Sequence, residues 1–162
     1  MSSVFLDSNI LVYAATRQDP RKQGIAAVIL EHLKEHGNGC ISLQVLREFA
    51  NVMYRKSNYT HEQIKEMVDG FHEALPCVVE SKETLDRGME LKAKYGLQLY
   101  DAMMLATAES VGCDTVYSED MGDGAVYDGI VVKNPFRDDV NGGMASSAQN
   151  GGRARSRGRR TP

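Results

Sequence analysis

Val4-Phe5-Leu6-Asp7-Ser8-Asn9-Ile10-Leu11-Val12-Tyr13-Ala14-Ala15 passes from three consecutive apolar residues, through an acid, into a second apolar stretch. The first run is too short for a helix and does not alternate. That is the pattern of a strand covered on both faces, as in a parallel sheet flanked by helices. A helix from about Asn9 to Ala15 follows it. Asp7 therefore stands directly after a buried strand, at the end where open parallel sheets build their sites.

The same alternation continues outward. Pro20 suits a first helical turn, and Ala26, Ile29, Leu30 and Leu33 recur at helical spacing up to about Glu35, with Gly37 and Gly39 as stops. Cys40-Ile41 leaves room only for a short strand. Ser42 caps a helix to about Lys56, whose stripe is Leu46, Phe49, Ala50 and Met53. Thr60-His61-Glu62-Gln63 forms a capping box ahead of Ile64, Met67, Val68 and Phe71, and Pro76 ends that helix. Cys77-Val78-Val79 reads as a strand. Ser81 opens a helix closed by Gly96, and Tyr100-Asp101 opens another closed by Gly112. Thr115-Val116-Tyr117 and Ile130-Val131-Val132 are strands separated by a turn-rich loop from Glu119 to Gly124. Short apolar strands alternating with helices predict an α/β fold, a three-layer sandwich with a mainly parallel central sheet. This domain should span residues 1–137. Beyond about Asn141 the composition turns to Gly, Ser, Ala, Asn and Arg, so 138–162 are expected to form a disordered tail.

Charge is distributed unevenly. The net charge is −3, yet residues 141–162 hold five arginines and no acid, which leaves the first 140 residues at −8. An acidic body is a poor general binder of nucleic acid and a natural holder of divalent cations. No apolar run approaches the roughly 20 residues of a membrane span, and Met1-Ser2-Ser3 lacks the features of a signal peptide. A cytoplasmic location is the expectation. The three cysteines, Cys40, Cys77 and Cys113, sit in or beside apolar segments with no metal-ligand spacing, so they read as small core residues.

Four acids carry the chemical interest: Asp7, Glu48, Asp101 and Asp120. Asp120 lies three residues beyond the strand at Thr115, Val116 and Tyr117. Asp101 starts a helix whose Met104, Leu105 and Ala108 face the core. Glu48 lies inside a helix between Val45 and Val52, an apolar setting in which an acid needs a partner or a metal. Plainer roles exist: Asp7 and Asp101 suit helix caps, and Asp120 suits an ordinary loop. Gathered at one sheet edge, however, such carboxylates repel one another, and Mg2+ or Mn2+ relieves the repulsion through hard oxygen ligands. His32, His36, His61 and His72 fall on helices away from these acids, which disfavours soft-metal or Ser-His-Asp chemistry.

Phe5-Leu6-Asp7-Ser8-Asn9-Ile10-Leu11-Val12-Tyr13-Ala14 resembles the opening motif of PIN domains. Gln44-Val45-Leu46-Arg47-Glu48-Phe49 resembles their second acidic motif. Tyr100 to Ala108, reading YDAMMLATA, resembles the third, and Ser118-Glu119-Asp120-Met121 the fourth. Asn134-Pro135-Phe136 is similar to a frequent ending. Four motifs in order over residues 2–137 resemble in particular the bacterial VapC toxins. The resemblance implies a PIN fold and endoribonuclease activity with Mg2+ or Mn2+. It also implies a cognate antitoxin and a homodimer. Asp7, Glu48, Asp101 and Asp120 match the acidic positions one by one, with Asp7, Asp101 and Asp120 as metal ligands. Ser8, Asn9 and Ser118 match supporting polar positions, and Asp123 is a candidate supplement to Asp120. The Arg-rich tail is no part of the pattern. It reads equally as an inert end or as a source of phosphate contacts.

On this reading Glu48 binds metal or orients a water that attacks the RNA phosphate, leaving a 5′-phosphate and a 3′-hydroxyl. Arg47, Arg55, Lys56, Lys92 and Lys94 are candidates for drawing RNA toward an acidic site. Two other classes compete. A haloacid-dehalogenase-type phosphatase would need a general-acid Asp two positions after Asp7, where Asn9 stands. An inactive PIN-like RNA-binding or interaction domain would keep the fold without the cleavage. The apolar helix from Thr60 to Leu75 suits a dimer or antitoxin surface, or plain core packing.

Overall fold

The structure, a computed structural model, describes residues 2–137. The tail expected over 138–162 lies outside the described residues. The elements in chain order are β1 (Val4–Leu6), α1 (Ser8–Ala15), α2 (Pro20–His36), β2 (Gly39–Ser42), α3 (Leu43–Arg55), α4 (His61–Ala74), β3 (Cys77–Val78), α5 (Lys82–Tyr95), α6 (Leu99–Ser110), β4 (Thr115–Tyr117), β5 (Val126–Tyr127) and β6 (Ile130–Lys133).

The strands form one sheet in the order β3-β2-β1-β4-β6-β5, parallel throughout except for β5 against β6. The chain steps from β1 to β2 to β3, then crosses back to place β4 on the other side of β1. Right-handed crossovers along that path put α1–α4 over one face and α5–α6 over the other. Helix packing agrees: α1 lies on α2 and α3, α3 on α4, and α5 on α6. The expected three-layer α/β architecture is therefore the observed one. β1 is buried along its whole length, with Phe5 and Leu6 fully enclosed, because both faces carry helices. Its carboxyl end and that of β4 flank the switch point in strand order, so the residues after both strands face one crevice.

Local signals in the sequence set the helix boundaries. Ser42 accepts the Val45 N–H, Thr60 and Gln63 form a reciprocal box, and Gly96 ends α5 in a left-handed conformation. Two expectations need correction. Gly37 alone closes α2, at φ 63°, whereas Gly39 opens β2. A Cβ at Gly39 would lie 2.8 Å from the Leu33 Cβ, so glycine there permits close packing of α2 on the sheet. The region after Gly124 also contains a strand that the apolar pattern did not reveal. Asp128 and Gly129 both have positive φ, 47° and 90°, and turn β5 into β6 as a tight hairpin. The Asp-Gly pair was the available sign. Asp128 is held in turn by Arg87, Lys94 and Tyr95 of α5.

The stripe of α4 is only partly covered. Ile64 is buried, while Met67, Val68 and Phe71 are half-buried at the margin of the core. Cys40 and Cys113 are buried and Cys77 half-buried, all as free thiols. No described helix is long and apolar enough to cross a membrane.

Candidate active site

Asp7 emerges from the end of β1 into the first turn of α1. It is a helix cap, since its Oδ1 accepts the Ser8 N–H at 2.7 Å, and it is also the buried centre of a polar group. The fully buried Ser118, just past β4, donates its hydroxyl to Asp7 Oδ2 at 2.6 Å. Asn9 donates one amide to two acids, Asp7 Oδ2 and Asp120 Oδ2, at 3.2 Å each. The Ser8 hydroxyl lies 3.4 Å from Asp7 Oδ1 and 3.3 Å from Glu48 Oε2, and so links α1 to α3. Asp120 is fixed further by its own N–H, which donates to Ser118 Oγ at 3.3 Å. The Glu119 N–H donates to Asn9 Oδ1 at 3.4 Å.

Glu48 completes its shell through Gln44, whose amide donates to Oε1 at 3.0 Å across one helical turn. Asp101 is half-buried in the first turn of α6. The N-cap of that helix is Gln98, so the capping role open to Asp101 from sequence does not apply. Asp101 instead lines one small depression with Asp7, Glu48, Gln44 and Tyr100. α6 reaches this position by packing tightly on α5. A Cβ at Gly88 would lie 2.5 Å from Met103 Sδ and 3.3 Å from the Met103 Cα, so glycine permits that approach without a shift of Met103.

The electrostatics follow from this gathering. Burial pushes the Asp7 carboxyl above its ordinary value; donation from Ser118 and Ser8 opposes the rise, and the charges of Glu48 and Asp120 add to it. Asp101 is likewise raised, first by burial and then by Asp120 and Glu48. The ion pairs among the described residues leave all four acids out. The donor set is entirely hard oxygen, which matches Mg2+ or Mn2+ and not a softer ion. Among the described residues no three His, Cys, Asp or Glu side chains stand, as they lie, close enough together to hold a metal ion. The arrangement is an open cluster, with an amide and a hydroxyl placed between the carboxylates.

Asp7, Ser8, Asn9, Glu48, Asp101, Ser118 and Asp120 are thus brought together. Asp123 is not part of the group: it accepts the Asn134 N–H at 2.8 Å and pairs with Arg137 at 3.1 Å, pinning the end of β6. Of the five basic candidates, Arg47 reaches the rim by donating to Gln44 at 2.6 Å. Lys94 is engaged by Asp128, Lys92 by the Leu97 carbonyl and Lys56 by Gln18. Sequence reading missed Gln44 as the group steadying Glu48, although its spacing of four within one helix was visible. It also missed Lys22, which pairs with Glu119 beside Asp120 and lies over the Tyr13 ring. That contact spans two distant segments and has no local signature.

The family model described as "PIN domain" matches residues 4–122. No curated protein matches the chain. Solved structures do. A toxin–antitoxin complex from Klebsiella pneumoniae aligns with a TM-score of 0.61 at 24% identity, covering 82% of this chain and 98% of that one. DNA-bound VapBC from Salmonella typhimurium gives 0.61 at 19% identity, with 83% and 99% covered. VapC20 of Mycobacterium tuberculosis, described as a sarcin-ricin loop cleaving toxin, gives 0.57 at 16% identity, with 73% and 90% covered. Likeness at these identities speaks for a shared fold, and the matched motif region spans both the buried β1 strand and the acids that follow it. On that match, the chain belongs to the PIN domain family.

Proposed function

We propose that the protein is a metal-dependent endoribonuclease acting as the toxin of a toxin–antitoxin pair, in the cytoplasm. One observation carries the reading: four carboxylates, from the end of β1, α3, α6 and the loop after β4, converge with polar donors between them and, among the described residues, no basic partner. Asp7, Asp101 and Asp120 would hold Mg2+ or Mn2+. Such an ion, when bound, lowers the pKa of a coordinated water and offsets charge on the phosphoryl oxygens. Glu48 would accept the proton of the attacking water at an oxygen that retains a free lone pair beside its bond from Ser8 or Gln44. Ser118 and the Ser8 N–H favour the ionised, ligating form of Asp7 and oppose part of the cost of burial. Asn9 holds Asp7 and Asp120 in fixed relation. Its amide also stands where a phosphatase would require a second acid, which counts against that alternative.

Structural neighbours that are toxin–antitoxin complexes support a protein partner, which on this reading would block the site. The half-covered apolar faces of α2 and α4, with Leu30, Met67 and Phe71, offer it or a second copy a surface. The test is incubation of purified, antitoxin-free protein with mixed cellular RNA in Mg2+, Mn2+ or EDTA, beside Asp7→Asn and Asp101→Asn. Discrete fragments with 5′-phosphate ends, dependent on metal and absent in both variants, are the expected result. Fragments with 2′,3′-cyclic phosphate ends, or cleavage that persists in EDTA, would overturn the water-attack scheme. Absence of any cleavage by folded, metal-loaded protein would leave a binding domain.

A further inference from the structure

Seven tyrosines occur in the chain. Tyr13, Tyr59, Tyr95, Tyr117 and Tyr127 pack against the core, and Tyr54 stacks on His61. Tyr100 does neither. It is 69% exposed, and no described residue hydrogen-bonds to its hydroxyl or makes an aromatic or cation contact with its ring. Yet it is not on a featureless surface. It occupies the second position of α6, directly before Asp101, and borders the depression that holds Asp7, Glu48 and Asp101. Val45, Met103 and Met104 supply the apolar part of the lining, and Ser42, Gln44 and Glu80 further polar groups.

A cluster of four carboxylates repels the phosphate backbone of RNA. Attraction that charge does not oppose must come from elsewhere, and an aromatic face offers it to any base. The base must be unpaired and splayed out, because within a duplex both of its faces are already covered. Resting on the nuclease reading above, we propose that Tyr100 is a stacking platform for an unpaired nucleobase next to the scissile phosphate. Arg47, which donates to Gln44 of the same depression, is the nearest basic candidate for a neighbouring phosphate.

The test uses the full chain with a labelled single-stranded RNA and the same strand annealed to its complement, in Mn2+. Tyr100→Ala should raise KM roughly 5- to 100-fold with kcat changed far less, as loss of one stacked base does. Tyr100→Phe should keep KM within about twofold of the unsubstituted chain, since the ring face and not the hydroxyl makes the contact. The preference for the single strand should shrink in Tyr100→Ala, while Tyr54→Ala, on the far end of α3, changes neither. An unaltered KM in Tyr100→Ala, or a loss confined to kcat, overturns the proposal even though cleavage itself stands. The chain contains no tryptophan, so Tyr100→Trp in an Asp7→Asn background supplies a sole indole on uncut RNA. Quenching by the single strand and not by the duplex is expected. Absence of quenching overturns the contact. If the unsubstituted protein cuts nothing, the nuclease reading fails and this fluorescence still decides whether Tyr100 meets RNA.

Discussion

Replacing Ser118 with alanine isolates how the site keeps a buried carboxylate usable. The hydroxyl makes two bonds: it donates to Asp7 Oδ2 at 2.6 Å and accepts the Asp120 N–H at 3.3 Å. Its removal leaves almost no void, because one oxygen is lost from a fully buried side chain. The main effect falls on Asp7. A hydrogen bond to an ionised group contributes about 1.5–3 kcal/mol, which is a factor of roughly 10 to 150 at 25 °C. That donation opposes the rise that burial imposes on Asp7. Without it the carboxyl holds its proton to higher pH, and a divalent ion must compete with that proton. In Ser118→Ala, the metal concentration for half-maximal cleavage should therefore rise about 10- to 100-fold at the acid end of the activity range, a range typical for loss of a group supporting a metal ligand. The deficit should narrow as pH rises and Asp7 ionises regardless. Metal-activation curves at several pH values, with circular dichroism to confirm folding, make the measurement. An activation curve equal to that of the unsubstituted protein refutes the reasoning. A deficit of constant size across pH also refutes it, since that would show a role in shape alone.

Two further outcomes follow from the same geometry. Asp7 and Asp101 both have raised folded-state pKa values, so their contribution to stability is present at acid pH and is lost as pH climbs through those raised values. Asp7→Asn should accordingly flatten the decline of Tm with rising pH in EDTA while abolishing cleavage; an unchanged Tm–pH slope would contradict the assignment. Gly88→Val should push α6 off α5 at Met103, costing about 1–3 kcal/mol by overpacking and displacing Asp101, so that chemical denaturation and cleavage both suffer. Full cleavage in a stably folded Gly88→Val protein would show that Asp101 does not depend on this contact.

Much of this molecule is legible in one dimension, because the forces involved are local. Helix caps at Ser42, Thr60 and Ser81 lie within three residues of the N–H groups they serve, so their motifs were readable at sight. The run Val4–Leu6 declared a strand covered on both faces, because only a fully enclosed strand tolerates unbroken apolarity. The types and spacing of the four acids likewise pointed to a hard-cation site. What the sequence left open depended on contacts between distant segments. The two-residue strand β5 carries almost no apolar pattern, and its pairing exists only through β6 and the anchoring of Asp128 by α5. Asp120 and Asp123 look alike on paper, but Asn9 draws one into the site while Asn134 and Arg137 hold the other away from it. A capping role stayed open for Asp101 beside its place among the four acids, and the start of α6 at Leu99 closes it. The exposure of Tyr100 beside the acids depends on how α6 docks against α5 over Gly88. Residue type and spacing determine which chemistry is available, because they act over a few bonds. Which of those groups meet is decided by packing across the sheet, where a single methyl or amide sets the separation.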